Sequence, residues 1–176
     1  MNSITNKVEK LGSDYFKGEV LDIAPGLIGK ILVRCFDTGE VKRYRITETE
    51  AYRGEEDLGC HASKGRTERT EVMYHQGGEL YVYFIYGKFW LLNIVTGDVD
   101  YPAAVLIRGV EGIDGPGRIG VELKIDKSFY GEDIGTSSRI WIEDDGFKSN
   151  YDCSFRIGID YASVEWAEKK WRFFKV

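Results

Sequence analysis

ELYVYFIYGKFWLLNIV, Glu79 to Val95, is the stretch whose reading decides the fold. Two runs of β-branched and aromatic residues flank Gly87-Lys88, and a two-residue connection beginning with Gly reads as a tight hairpin. Working outward, KILVRCF (Lys30–Phe36) and VKRYRITETEAY (Val41–Tyr52) read as strands joined by a hairpin turn at DTGE (Asp37–Glu40). AAVLIRGV (Ala103–Val110), RIWIED (Arg139–Asp144), FRIGIDY (Phe155–Tyr161) and WRFFKV (Trp171–Val176) read as further strands. Helical signals are short. They are SDYFKG (Ser13–Gly18) capped by Ser13 or Asp14, VLDIAPGLIGK (Val20–Lys30) broken at Pro25, and TERTEVMYHQ (Thr67–Gln76) capped by Thr67. GPGRIGVELKI (Gly115–Ile125) and SVEWAEKK (Ser163–Lys170), the latter with a Ser cap, complete the set. RGEEDLGCHASKGR (Arg53–Arg66) reads as a loop too polar for a core element. Strands dominate, so the expectation is one α+β domain over residues 1–176, with a strongly curved, mainly antiparallel β-sheet and a few short covering helices.

Composition narrows the function classes. The 176 residues are 43% hydrophobic, enough for a packed core. No run of 18 apolar residues exists, and the start lacks the apolar core of a signal peptide, so no membrane partner is expected. Three cysteines (Cys35, Cys60, Cys153) at wide spacing read as free thiols in a reducing cytoplasm, with no metal site and no disulfide frame. The net charge of −5 argues against a non-specific nucleic-acid binder. The charge is uneven, however: Lys42-Arg43-Tyr44-Arg45 and Lys169-Lys170-Trp171-Arg172 are basic, whereas Glu111 to Asp145 is acidic. A basic face still attracts a polyanion locally.

Strand periodicity places Ile46, Glu48, Glu50 and Tyr52 on one face. Glu50 is then either a solvated strand end or a carboxylate beside a cavity. Tyr86 at the hairpin tip is either an edge aromatic or a wedge for a stacked polymer. Asn93 within FWLLNIV needs polar partners if buried. Arg108 within VLIRGV needs an anion, and Glu50 is a candidate whose charge that pairing would maintain. His61 is a turn or core histidine, or a site residue. There is no Gly-rich phosphate loop, Ser/His/Asp order or paired acid for sugar-chain hydrolysis. The residues alone describe an aromatic pocket for a flat ligand, with a carboxylate able to act as a base.

TETEAYRGEEDLGCHASKGRTERTEVMY, GGELYVYFIYGKFWLLNIV, AAVLIRGVEG and GPGRIGVELKIDKSF, in that order from Thr47 to Phe129, resemble the alkyladenine (3-methyladenine) DNA glycosylase family. GKILVR before them and FRIGIDYASVEWAEKKWRFF after them fit as well. The resemblance implies a DNA base-excision repair hydrolase. Such an enzyme flips alkylated or deaminated purines (3-methyladenine, 7-methylguanine, hypoxanthine, ethenoadenine) out of double-stranded DNA. It cleaves the N-glycosidic bond without a cofactor or metal, leaving an abasic site and no strand break. By resemblance, Glu50 is the base that activates water and Arg108 helps hold that water. Tyr52, His61 and Tyr83 sandwich the base, Asn93 obstructs the amine of normal guanine, and Tyr86 fills the gap in the duplex. Lys88 lies beside that wedge. Lys64, Arg66 and Arg69 are candidate phosphate contacts, or else ties that hold the loop by salt bridges.

The chain departs from the family pattern at Glu68, where Pro is common, and at Lys88, where Met is common. The link from VEGID to GPGR is also shorter than is common, which bears on affinity for DNA more than on chemistry. The expected molecule is a cytoplasmic monomer, nucleoid-associated if bacterial. A damaged-DNA binding module without turnover and a hydrolase of free purine nucleosides are the alternatives.

Overall fold

The structure, a computed structural model, describes residues 7–176. The signal-peptide reading falls partly on residues 1–6, outside the described residues. In chain order the elements are β1 (Glu9–Lys10), α1 (Val20–Gly26), β2 (Ile31–Cys35), β3 (Val41–Arg53), β4 (Leu80–Ile85), β5 (Phe89–Val95) and β6 (Ala103–Val110). Then come β7 (Ile113–Asp114), α2 (Pro116–Glu122), β8 (Ile140–Asp144), β9 (Tyr151–Ser154), α3 (Val164–Ala167) and β10 (Arg172–Lys175). Short 3-10 turns occupy Ser13–Lys17, His61–Lys64, Glu71–Tyr74 and Lys127–Phe129. This is one α+β domain with a mostly antiparallel sheet and three short helices. No described helix is long and apolar enough to cross a membrane.

The sheet runs β1-β8-β2-β3-β6-β5-β4, with β7 on β6, β10 on β3, and β9 on β10. The 13-residue strand β3 organises it. Its first half pairs with β2 and its second half with both β6 and β10. Period-two alternation gives the β3-β6-β5-β4 region two faces. One carries Ala51, Leu92, Ile94, Val105 and Ile107 into the main core with Ile23 of α1 and Ile119 of α2. Each of the buried Leu, Ile and Val side chains contributes about 1.5–3 kcal/mol. The other carries Tyr81, Val95 and Ala104 under a smaller cluster from the 60–74 segment: Cys60, Ala62, Val72 and Met73. That second face stays partly open and holds the candidate site.

Several expectations need correction. The hairpin connection is three residues, Tyr86-Gly87-Lys88, because Ile85 pairs with Phe89. Ile46 does not share a face with Glu48 and Glu50. A bulge between Ile46 and Thr49 shifts the alternation and sends Ile46 into the main core. FRIGIDY is not a strand. Gly158 at φ 79 breaks the extension, and Arg156 rather than its apolar neighbours points inward. The Arg53–Arg66 loop is not all surface, for Asp57, Cys60 and Ala62 are buried. Gly12, not Ser13 or Asp14, caps the first turn, since Ser13 Oγ donates instead to Asp133 at 2.7 Å. Thr67 Oγ accepts from Thr70 N at 3.3 Å in a turn of its own, and the Glu71–Tyr74 turn begins after Thr70. Helix α1 runs through Pro25 to Gly26, and Ser163 caps α3 by position without a side-chain bond.

Gly120 lets α2 lie directly on β5. A Cβ there would overlap the Trp90 carbonyl oxygen, which is backbone and cannot swing aside. Gly120→Ala is therefore expected to lose about 1–3 kcal/mol of stability by overpacking, although Ala favours a helix by about 1 kcal/mol over Gly. Urea unfolding measures it, and an equal or higher midpoint would refute the close-approach argument.

Candidate active site

Residues directly opposite one another in antiparallel strands project to the same face. Glu50 lies opposite Leu106, Leu106 opposite Asn93, and Asn93 opposite Tyr81, a row that crosses β3, β6, β5 and β4. Neighbouring rows pair Tyr52 with Ala104 and Tyr83 with Leu91. This register brings Tyr52, Tyr83, Asn93 and Arg108 around a cavity of about 910 Å³, with His61 closing it from the 3-10 turn above. The volume is that of a small-molecule site.

Glu50 lies directly behind the cavity wall, with no accessible surface. Its Oε2 accepts from the Tyr52 hydroxyl at 2.7 Å and its Oε1 from Ile157 N at 2.8 Å. Tyr52 and Ile157 both line the cavity. Arg108 Nε stands 3.6 Å from Glu50 Oε1 but is closer to Glu48, donating to its Oε1 at 3.1 Å. Arg172 Nη1 donates to the same Glu48 oxygen at 2.9 Å. The expected pairing of Arg108 with Glu50 is present, though Arg108 is shared with Glu48 and its pull on the Glu50 charge is one of several. Burial raises the Glu50 carboxyl above its ordinary range, against the opposing pull of Tyr52, Ile157, Arg108 and Arg156. A carboxylate so placed takes up a proton more readily than one in water.

One side of the cavity is aromatic, and Glu48, Arg108 and Arg172 line another. The His61 and Tyr83 rings sit 4.6 Å apart, and Tyr81 lies 5.4 Å from Tyr83. His61 Nδ1 and the Tyr81 hydroxyl share a 2.9 Å hydrogen bond. Burial, with Arg69 and Lys64 nearby, lowers the His61 pKa to about 4, so its ring is neutral at physiological pH. Asn93 is buried and its Nδ2 donates to the Tyr81 carbonyl at 3.1 Å, which fixes the amide against the wall.

At the rim, Tyr86 is 86% exposed. Its φ of 55 lies in the left-handed region, as does Gly87 at 61. Lys88 is exposed and its Nζ sits 5.0 Å from the Phe89 ring. Arg69 lies over the Tyr83 ring at 5.2 Å, and Lys64 is exposed. Neither forms a salt bridge among the described residues. Arg66 differs, bonding Glu71 at 2.7 Å and Asp100 at 2.9 Å. Its geometry is that of a loop tie. Glu68 is exposed, and its backbone carbonyl accepts from Tyr130. The short Asp114-Gly115 link follows a hairpin turn at Glu111-Gly112 between β6 and β7, and Gly115 N donates to the Arg108 carbonyl at 3.0 Å. The link thereby seats Pro116, Gly117 and Arg118 at the cavity edge.

Several site residues escaped the sequence reading. Tyr81 was accessible by stepping two residues back from Tyr83. Glu48 and Arg172 share an ion pair that spans 124 positions, which no local pattern reveals. Arg156 and Asp57 form a fully buried pair at 2.6 Å beside Glu50. Ile157 contributes its backbone N–H, for which side-chain identity carries no signal.

A family model described as methylpurine-DNA glycosylase (MPG) matches residues 14–115 and 112–176. The two matched stretches overlap at residues 112–115, across the short link. A protein of Psychrobacter cryohalolentis is 42% identical over 86% of this chain and 86% of its own length. One of Methanocella arvoryzae is 40% identical over 93% and 91%, and one of Natranaerobius thermophilus 39% identical over 94% and 94%. All three bear the name "Putative 3-methyladenine DNA glycosylase".

Proposed function

The chain belongs to the methylpurine-DNA glycosylase family, and on that premise we propose that it excises alkylated or deaminated purines from duplex DNA by hydrolysis. The observation that carries the reading is Glu50, a sealed carboxyl group bonded to Tyr52 and Ile157, which themselves wall an aromatic cavity. An extruded purine stacks on such walls with about 1–3 kcal/mol per partner. A base alkylated at N3 or N7 is cationic and gains cation–π attraction as well. Tyr52, His61 and Tyr83 would hold the base, and Asn93, with its amide fixed, would obstruct the 2-amino group of normal guanine.

Glu50 has no accessible surface and its Oε2 is held by the Tyr52 hydroxyl; in this reading the incoming nucleotide displaces that bond and water meets the carboxylate. The water then loses a proton to Glu50, its oxygen bonds to C1′, and the purine departs with the electrons of the glycosidic bond. Arg108 helps to hold that water. Such general-base assistance supplies roughly 10²–10⁴ in rate. The product is an abasic site, with no amine step, cofactor or strand cleavage. Lys64, Arg69 and Lys88 would meet phosphates, while Arg66 holds the loop. We place the enzyme inside the cell as a monomer on DNA.

The test is a duplex carrying one hypoxanthine or one 1,N6-ethenoadenine. Alkali-labile sites are the expected result, with binding that weakens steeply as salt rises. A mobility shift without such sites would make the chain a binding module. Cleavage of free nucleosides but not of duplex would make it a nucleosidase. Either result overturns the proposal.

A further inference from the structure

We propose that the buried Asp57–Arg156 pair is a positioning device for Glu50. It fixes the 155–161 segment so that the Ile157 N–H and the Arg156 guanidinium both bear on that carboxyl group. The inference rests on the reading of Glu50 as the base.

The geometry is closed on every side. Arg156 Nη1 and Nη2 reach Asp57 Oδ2 and Oδ1 at 2.6 and 2.8 Å, and neither side chain is accessible. Nη1 also donates to the Ala51 carbonyl at 3.1 Å, between Glu50 and Tyr52 on β3. Nη2 donates to the Trp166 carbonyl at 3.3 Å. The guanidinium lies 4.9 Å from the Tyr52 ring and 5.0 Å from that of Trp171. Asp57 meanwhile accepts from Arg53 N at 3.1 Å and Gly59 N at 2.9 Å, so the loop before His61 winds around it. The Tyr161 hydroxyl donates to the Gly59 carbonyl at 3.0 Å, a second strut between the same two segments. The residue after Arg156 is the one whose N–H meets Glu50.

Glue alone would not call for this arrangement. A buried ion pair recovers little more than its own desolvation, and apolar residues of the same volume usually serve stability as well or better. Arg156 Nε is moreover buried with no partner among the described residues, an added cost. What the pair supplies and an apolar pair cannot is a located charge and a located N–H beside a sealed acid. The groups facing Glu50 are Tyr52 and Glu48 on its own strand, Tyr83 on β4, Arg108 on β6, Arg172 on β10, and Arg156 and Tyr161 on the crossing segment. Arg108 and Arg172 both donate to Glu48. Arg156 and the Ile157 N–H thus stand among the few influences that favour the ionised acid.

The test is the double variant Asp57→Leu/Arg156→Met, which removes both charges without stranding either. It is expected to melt below the parent, because Arg53 N, Gly59 N and the Ala51 carbonyl lose their partners, but still to fold and to bind the lesion duplex. Single-turnover excision of hypoxanthine at neutral pH should fall by about a hundredfold, the lower end of a general-base contribution. In carbon-13 NMR of labelled glutamate, the Glu50 carboxyl should titrate at higher pH than in the parent, and the acid limb of the rate profile should move up with it. A folded double variant with the parent's rate and the parent's Glu50 midpoint overturns the proposal. If the double variant does not fold, Arg156→Lys, which keeps a cation against Asp57 but loses the fork, carries the same readouts, and parent-like values there overturn it equally. Should the parent excise none of the lesions, the role of Glu50 as the base fails. The NMR midpoint still decides whether the pair governs its ionisation.

Discussion

Glu50→Gln is expected to abolish most excision, by roughly 10²–10⁴ in single-turnover rate, while leaving lesion-duplex binding near the parent's. The amide preserves the local bonds: its oxygen accepts from Ile157 N and its nitrogen donates to the Tyr52 oxygen, the two groups that contact the carboxylate in the parent. The variant also carries a stability signature of definite sign. Burial raises the folded-state pKa of Glu50 above its unfolded value. Between those two values the folded state holds the extra proton, so stability falls as pH rises through the raised pKa. The Gln variant has no such proton to lose. It should therefore be more stable than the parent at neutral pH, with the difference vanishing in acid, where the parent's Glu50 is neutral. Thermal melting against pH reads the second effect and quench-flow excision the first. A variant that excises at the parent rate would remove Glu50 from the chemistry, whatever its stability.

How far the site was legible follows from which contacts are local. Within β3, alternation alone puts Glu50 with Tyr52; that Tyr83, Asn93 and Arg108 share their face follows from the strand registers, which put like-facing residues opposite one another. The same rule failed at Ile46, where a bulge inserts a residue that no periodicity announces. It failed again in FRIGIDY. Alternation there favours burying Phe155 and Ile157, yet each is 49% exposed. A bidentate partner 99 positions away draws Arg156 inward instead. Ion pairs between distant segments override local pattern in this way, and their partners cannot be named before the fold is known. The fate of the loop cations was undecidable for the same reason. Only the approach of Glu71 and Asp100 separates Arg66 from Lys64 and Arg69.

Tyr86→Ala is expected to weaken binding of a lesion-bearing duplex by about 1–3 kcal/mol, or some 5- to 150-fold, the worth of one stacked aromatic. The fold argues that this side chain is not there for stability. It is 86% exposed, so it buries little. Its backbone occupies the left-handed region at φ 55, a conformation that costs a residue with a Cβ about 1–2 kcal/mol. A hairpin selected only to fold would place Gly or Asn at that position. Strain held at an exposed aromatic beside a cavity mouth points toward a function, and an aromatic blade next to the base pocket suits the gap an extruded nucleotide leaves. Unfolding free energy should therefore move by less than about 0.5 kcal/mol in Tyr86→Ala, as for surface positions generally. Tyr86→Gly should even raise it by relieving the backbone, while weakening binding at least as much. The loss should be larger for the duplex than for a single strand with the same lesion, because only the duplex has a stack to be filled. Equal affinities for parent and Ala variant on the duplex would leave Tyr86 an exposed aromatic with no part in DNA recognition.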